Sequence, residues 1–503
     1  MLFDTYQLVH SLTKAEKRYF QLSASLHVIG EKNNYLKLFE ALNRQKKFDK
    51  TSISQEFKAQ HLHLLKRHLQ TTLLKSLRSF HATSSVAIQV YTMISETEIL
   101  YKKGLTKSAL KLVHHAKKIA AGNDLHLAMA QLLELEIKLL AISHQLVHAQ
   151  PKIKRAFEEA YRQIKLYENF QNCFHFRMEV NAAHNKEILF RQPEDQKKYL
   201  EEIKTLSKKD LSEKAKWELY NGAGTYFSSI GDHEEGHDYH KKASAIFEKK
   251  TFQASDELRQ YVLSLYTQSI TFFYLKKYND ALNNLKIIQD LFYTLRDPAN
   301  KRNIQELFLH SLLLEGFIGM DSNKYEKARP VILQMKKESN ERGIINVSLR
   351  NEIYYQQTGF WFCTGNFSEA RSWLTKMLQD KDAPKENPAR YRFARLMQLL
   401  VLFELNEFRE IENLLPATKK FLRKKDQRFK VEEAVLNFIS EYSRSKELRS
   451  EKNRRINFSG LNKLLLRVAK DKSEAAALRV FDYAAWARAK AENKTMAELL
   501  SKK

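Results

Sequence analysis

Along most of the chain apolar residues return every three or four positions, the spacing that lines one face of an α-helix. In TQSITFFYLKKYNDALNNLKII this period runs to Tyr274, breaks at Lys276-Lys277, and resumes near Tyr278-Asn279-Asp280-Ala281. That is a helix, a short joint and a second helix. The same order of joint, aromatic residue and small residue recurs. Aligned on the small residue, the anchors are Ala109, Gly236, Ala281, Ala328, Ala370 and Ile411. Three positions upstream stand Thr106, His233, Tyr278, Tyr325, Phe367 and Phe408. Five upstream, at the joint, stand Gly104, Gly231, Lys276, Asn323, Gly365 and Asn406. Gly and Asn tolerate the left-handed backbone that closes a helix. Gly224, Ser269, Gly316 and Thr358, twelve upstream, are small enough to let a neighbouring helix approach. Val113, Leu285, Ile332, Leu374 and Leu415 follow four residues after the anchor, on its own face.

The strings YNDALNNL, YEKARPVI and FSEARSWL carry a small residue in the first helix, an aromatic at the turn and an alanine in the second. In this the chain resembles the tetratricopeptide-repeat (TPR) helical solenoids. Its anchor intervals from Gly236 onward are 45, 47, 42 and 41 residues, longer than the family's repeat of about 34. The resemblance implies an all-α, right-handed superhelical solenoid of antiparallel helix pairs, with an N-terminal helical cap bundle. It also implies a protein or peptide partner held in a concave groove, with Asn221, Tyr266 and Tyr355 facing that groove.

The first 80 residues follow a different pattern. Thr13-Lys14-Ala15-Glu16 is a capping box; NNYLKLFEALNRQ reads as a second helix, FDKTSISQEF as a short one, and Phe57 to Phe80 as a long basic one. This order fits a cap on the open end of a solenoid. The same order is also that of a helix-turn-helix DNA reader, the lesser reading, with Lys66, Arg67, Lys75 and Arg78 set for phosphate. Three segments follow: a basic bundle at 1–80, a repeat array at 86–425 and a basic helical cap at 426–503. Between 123 and 210 the anchors blur, and the period is expected to stop at Pro151 and again at Gln192-Pro193. Loops are expected at Lys249 to Asp256, Arg296 to Asn303, Ser339 to Ser348 and Gln379 to Ala389.

Composition narrows the class. With 13 Gly and 7 Pro in 503 residues, the chain lacks the turn formers of sandwiches, barrels and dinucleotide folds. The net charge of +26 is concentrated at the ends, +8 in residues 1–80 and +12 in 417–503. Arg423, Lys424, Lys425, Arg428, Arg454 and Arg455 therefore form a candidate polyanion surface, which makes a nucleic-acid or ribonucleoprotein regulator the alternative to a protein-binding scaffold. Cys173 and Cys363 form no paired motif, and no run of 18 apolar residues occurs, so a cytoplasmic protein without a membrane span is expected.

His233-Glu234-Glu235-Gly236-His237 matches the H-E-x-x-H string of zinc peptidases. The repeat register already accounts for His233 and Gly236, and Asp232, Glu235 and Asp238 crowd the face a metal would need. His233, His237 and His240 remain open to adventitious metal binding. No nucleophile elbow or phosphate-binding glycine loop is present, so no enzymatic activity and no cofactor are expected.

Overall fold

The computed structural model describes all residues except 1, 26–33, 58, 82–84, 143–145, 187–192, 248–254, 343–345, 387, 424–428, 449, 472–473, 475–477, 479 and 502–503. Among the described residues every regular element is helical. The chain divides into two compact units, Met1–Thr267 with Leu295–Asn303, and Gln268–Thr294 with Ile304–Lys503. Neither sequence-drawn boundary, at 80 or at 425, coincides with that division.

The first unit opens with α1 (Leu2–Ser11), α2 (Lys14–Ser25), α3 (Asn34–Arg44), α4 (Lys50–Glu56) and α5 (Ala59–Phe80). The expected capping box starts α2: Thr13 N donates to Glu16 Oε2 at 2.6 Å, and Glu16 N to Thr13 Oγ1 at 3.2 Å. These helices enclose their own core of Phe20, Leu38, Phe39, Leu42, Leu69 and Leu73. Next come α6 (Val86–Lys102), α7 (Thr106–Ala121), α8 (His126–Ile142), α9 (Leu146–Lys186), α10 (Pro193–Ser207), α11 (Glu213–Ser229), α12 (His233–Ala245) and α13 (Ser255–Tyr274), whose last residues belong to the second unit. The period does not stop at Pro151, which lies inside α9. Proline there, the sixth residue of α9, removes a single i→i−4 bond, the one to Val147 O, and the rest of the long helix continues. At the second expected break, Gln192 lies outside the described residues, and Pro193 takes the first position of α10.

The second unit holds α14 (Tyr278–Thr294), most of α15 (Pro298–Asp321), α16 (Tyr325–Arg342), α17 (Val347–Cys363), α18 (Phe367–Gln379), α19 (Ala383–Glu386), α20 (Pro388–Glu404), α21 (Phe408–Arg423), α22 (Lys430–Arg444), α23 (Glu451–Val468), α24 (Tyr483–Glu492) and α25 (Met496–Leu500). Two expected loops are shorter than the sequence suggested. Pro298 starts α15, so residues 298–303 are helical, and α19 fills part of 379–389. Of the expected loops at 249–256 and 339–348, residues 249–254 and 343–345 lie outside the described set. One apolar core runs from Tyr325 to Leu499 and joins α22 to α25 with the helix pairs before them.

All six joint residues are left-handed: Gly104 (φ 73°), Gly231 (89°), Lys276 (59°), Asn323 (58°), Gly365 (80°) and Asn406 (58°). After each, the next N–H reaches back to the carbonyl five residues before it, as in Asp232 N to Phe227 O at 2.9 Å and Glu407 N to Leu402 O at 2.9 Å. The same Schellman closure sets each of these six helical hairpins. Within the pairs the small residues seal the contact. Ala109, Ala281, Ala370 and Ile411 are fully buried, and a Cβ on Gly319 would stand 2.6 Å from that of Ala328.

Candidate functional site

In the second unit the first helices of successive pairs, α17 and α20, present a face to the chain's own C-terminal helices. Asp482 caps α24, its Oδ1 accepting from Ala485 N at 2.8 Å. Thr495 and Glu498 form a capping box that opens α25. Tyr355 on α17 donates its hydroxyl to Val480 O at 2.5 Å. The Arg390 guanidinium lies 3.8 Å over the Tyr355 ring and is itself held by Glu352 at 3.1 Å. Two turns on, Phe362 meets Phe481 edge-on at 5.6 Å, and Cys363 Sγ lies 3.9 Å from Met496 Sδ. A Cβ on Gly365 would stand 3.0 Å from Thr495 Cγ2. From α20, Glu404 takes Trp486 Nε1 at 2.7 Å on one oxygen and Lys490 Nζ at 2.7 Å on the other. Ser501 Oγ donates to Asn323 O at 2.9 Å.

The seat is dry. Tyr483, Trp486, Ala487 and Ala489 are each 2 % exposed or less. Burial pushes the Cys363 thiol up to about 12 and raises the Tyr355 and Tyr483 hydroxyls above the ordinary phenol range, the neighbouring Arg390 opposing this at Tyr355. Small residues 485, 487 and 489 let α24 approach closely, and Trp486 fills the gap between helices. Sequence reasoning missed this element. Its signals were present: Asp482 as an N-cap, Thr495-Met496-Ala497-Glu498 as a capping box, and alternate alanines around one tryptophan.

Of the three residues assigned to the groove, Tyr355 is therefore engaged by Val480 and Arg390. Asn221 on α11 is 3 % exposed, and its Nδ2 is buried without a hydrogen-bond partner among the described residues. Tyr266 on α13 is half-buried. Among the basic residues, Lys424, Lys425, Arg428 and the Arg423 side chain lie outside the described set. Arg454 donates to Asn493 Oδ1 at 2.6 Å, the residue in the left-handed turn between α24 and α25, and Arg455 is exposed.

The histidine string occupies the start of α12. His240 is 2 % exposed, and burial lowers its pKa to about 3. Its ring lies on Gly224, where a Cβ would come within 2.6 Å. Gly236 backs onto α11, where a Cβ would meet Ser228 Oγ at 2.5 Å and Gly224 O at 3.1 Å. Among the described residues the ligand atoms of His233, His237 and His240 do not converge. A group that does converge is His175, Glu179 and Glu202, with ligand atoms within 4.8 Å of one another and Lys198 3.9 Å from Glu179. Burial and the Glu179 charge raise the Glu202 carboxyl. Among the described residues no helix is long and apolar enough to cross a membrane.

No known family profile matches the chain. No curated protein matches its sequence significantly. Among solved structures it is similar to the apo form of the quorum sensor NprR from B. thuringiensis, at 14 % identity and a TM-score of 0.42, over 73 % of this chain and 96 % of that one.

Proposed function

We propose that the protein is a non-enzymatic helical-repeat adaptor that binds a protein or peptide partner by seating a helix or peptide across the first helices of its pairs. The observation that carries this reading is the seat of α24 and α25. There a repeat face takes a helix through one buried indole, one carboxylate with both oxygens engaged, and close contact at small residues, the means by which partner helices are held in grooves. In the second unit that face is filled by the chain itself, so Tyr355 serves the internal contact. Tyr266, half-buried on α13 of the first unit, is the contact we assign to the partner. The right-handed superhelical groove implied by the TPR resemblance belongs to the same reading. Support for a non-catalytic role comes from the start of α12, where Gly236 and His240 pack against α11.

The test is a photo-crosslinking side chain at Tyr266 of the full chain, activated in the native cell, with and without nuclease before analysis. A discrete protein adduct that survives nuclease is expected. No adduct, or one consisting of nucleic acid, would overturn the reading.

A further inference from the structure

Helix α5 carries no acidic residue over its 22 positions. One face belongs to the core. Leu69 and Leu73 are fully buried, His68 meets the Tyr35 ring at 4.7 Å, Phe80 meets Tyr19 at 5.3 Å, and the adjoining His81 bonds Glu16 at 2.7 Å. Among the described residues the opposite face is unpartnered. Leu64 is 63 % and Leu74 57 % exposed, and Arg67, Thr71, Lys75 and Arg78 between and beyond them are exposed. These positions follow the helical period, so they form one stripe. Among the described residues Arg67, Lys75 and Arg78 make no ion pair with a carboxylate.

A single exposed leucine needs no explanation. Two on one stripe, about 15 Å apart at 1.5 Å per residue, and flanked by three unneutralised cations, match a ligand with apolar and acidic groups at helical spacing. A phosphate backbone satisfies the cations and leaves both leucines in water. We infer that the outward face of α5 is a docking surface for an acidic amphipathic helix of a protein partner. The inference concerns a surface distinct from the α24/α25 seat and does not depend on how that seat is used.

The probe is a fluorescein-labelled helical peptide with two leucines ten residues apart and glutamates on the same face, titrated into the full chain by anisotropy. Competitors are the same peptide with leucine changed to serine, the same with glutamate changed to glutamine, and a short duplex DNA. Two double variants, Leu64→Ser with Leu74→Ser and Arg67→Gln with Lys75→Gln, alter only exposed side chains. Circular dichroism checks their fold. The parent peptide is expected to bind, each double variant to weaken it about tenfold or more, and both altered peptides to compete poorly. Three results would overturn the inference: DNA binding that outcompetes the peptide and survives the leucine change, which makes this a phosphate surface; peptide binding indifferent to all four substitutions; and no binding at all.

Discussion

Trp486 and Glu404, 82 residues apart, share a 2.7 Å hydrogen bond from indole nitrogen to carboxylate, and the second carboxylate oxygen takes Lys490 one turn along α24. Glu404 is only 3 % exposed. A buried carboxylate is tolerated when both oxygens are engaged, so one turn of α24 completes what α20 leaves open. Trp486→Ala is expected to destabilise the second unit by about 3–5 kcal/mol, through lost burial and the cavity it leaves. Lys490→Met, at a residue one quarter exposed, is expected to cost less. Urea titration checks both; equal midpoints for the wild type and Trp486→Ala would contradict the seat.

The pair Arg177–Glu218 joins α9 to α11 in the first unit, with side chains 12 % and 4 % exposed. Burial raises the Glu218 carboxyl while Arg177 opposes it. Arg177→Met strands a buried acid and is expected to cost about 3–5 kcal/mol. Adding Glu218→Gln is expected to recover part of that loss. A double-mutant cycle by chemical denaturation measures the coupling, and additive losses would count against it.

His240 makes the first unit sensitive to acid. The folded protein takes up this proton only near pH 3, whereas the unfolded chain takes it up near about 6.5. Between those values the unfolded state binds more protons. The contribution is therefore complete above about pH 6.5 and is lost as pH falls toward 3, with a slope of up to roughly 1.4 kcal/mol per pH unit. Urea midpoints at about pH 7.5 and about pH 5 are expected to fall further for the wild type than for His240→Leu. Equal falls would place the imidazole in contact with water.

The joints permit a cleaner test of local backbone. Gly231 has φ 89°, and a Cβ there would meet nothing within 4 Å. Gly231→Ala therefore costs left-handed strain alone, about 1–2 kcal/mol. Gly231→Asn is expected to cost less, as the three asparagine or lysine joints of this chain already do without glycine. Thermal melts of both variants decide this, with alanine expected to melt lower.

The joints were legible because a left-handed residue closing a helix leaves a local mark: Gly or Asn five residues before a small one. Buried anchors such as Ala281 and Ala370 followed from the same register. The fate of Tyr355 was not legible. Its partner Val480 lies 125 positions away, and no local pattern reports which segment covers a helix face. Asn221 is 3 % exposed, a burial that register alone does not report, since register fixes direction and not what packs there. The exposed stripe on α5 lay in plain view as an acid-free helix, but the sequence could not separate its core leucines from Leu64 and Leu74. Pro151 misled because proline reads as a break unless it falls in a helix's opening turns.

Amide hydrogen exchange across residues 483–500 tests the seating of the C-terminal helices most directly. If α24 and α25 are an integral occupant of the first-helix face, their amides are protected as strongly as those of α20, and Trp486→Ala lowers protection in both together. Rapid exchange in 483–500, as in a fraying terminus, with α20 fully protected would contradict it.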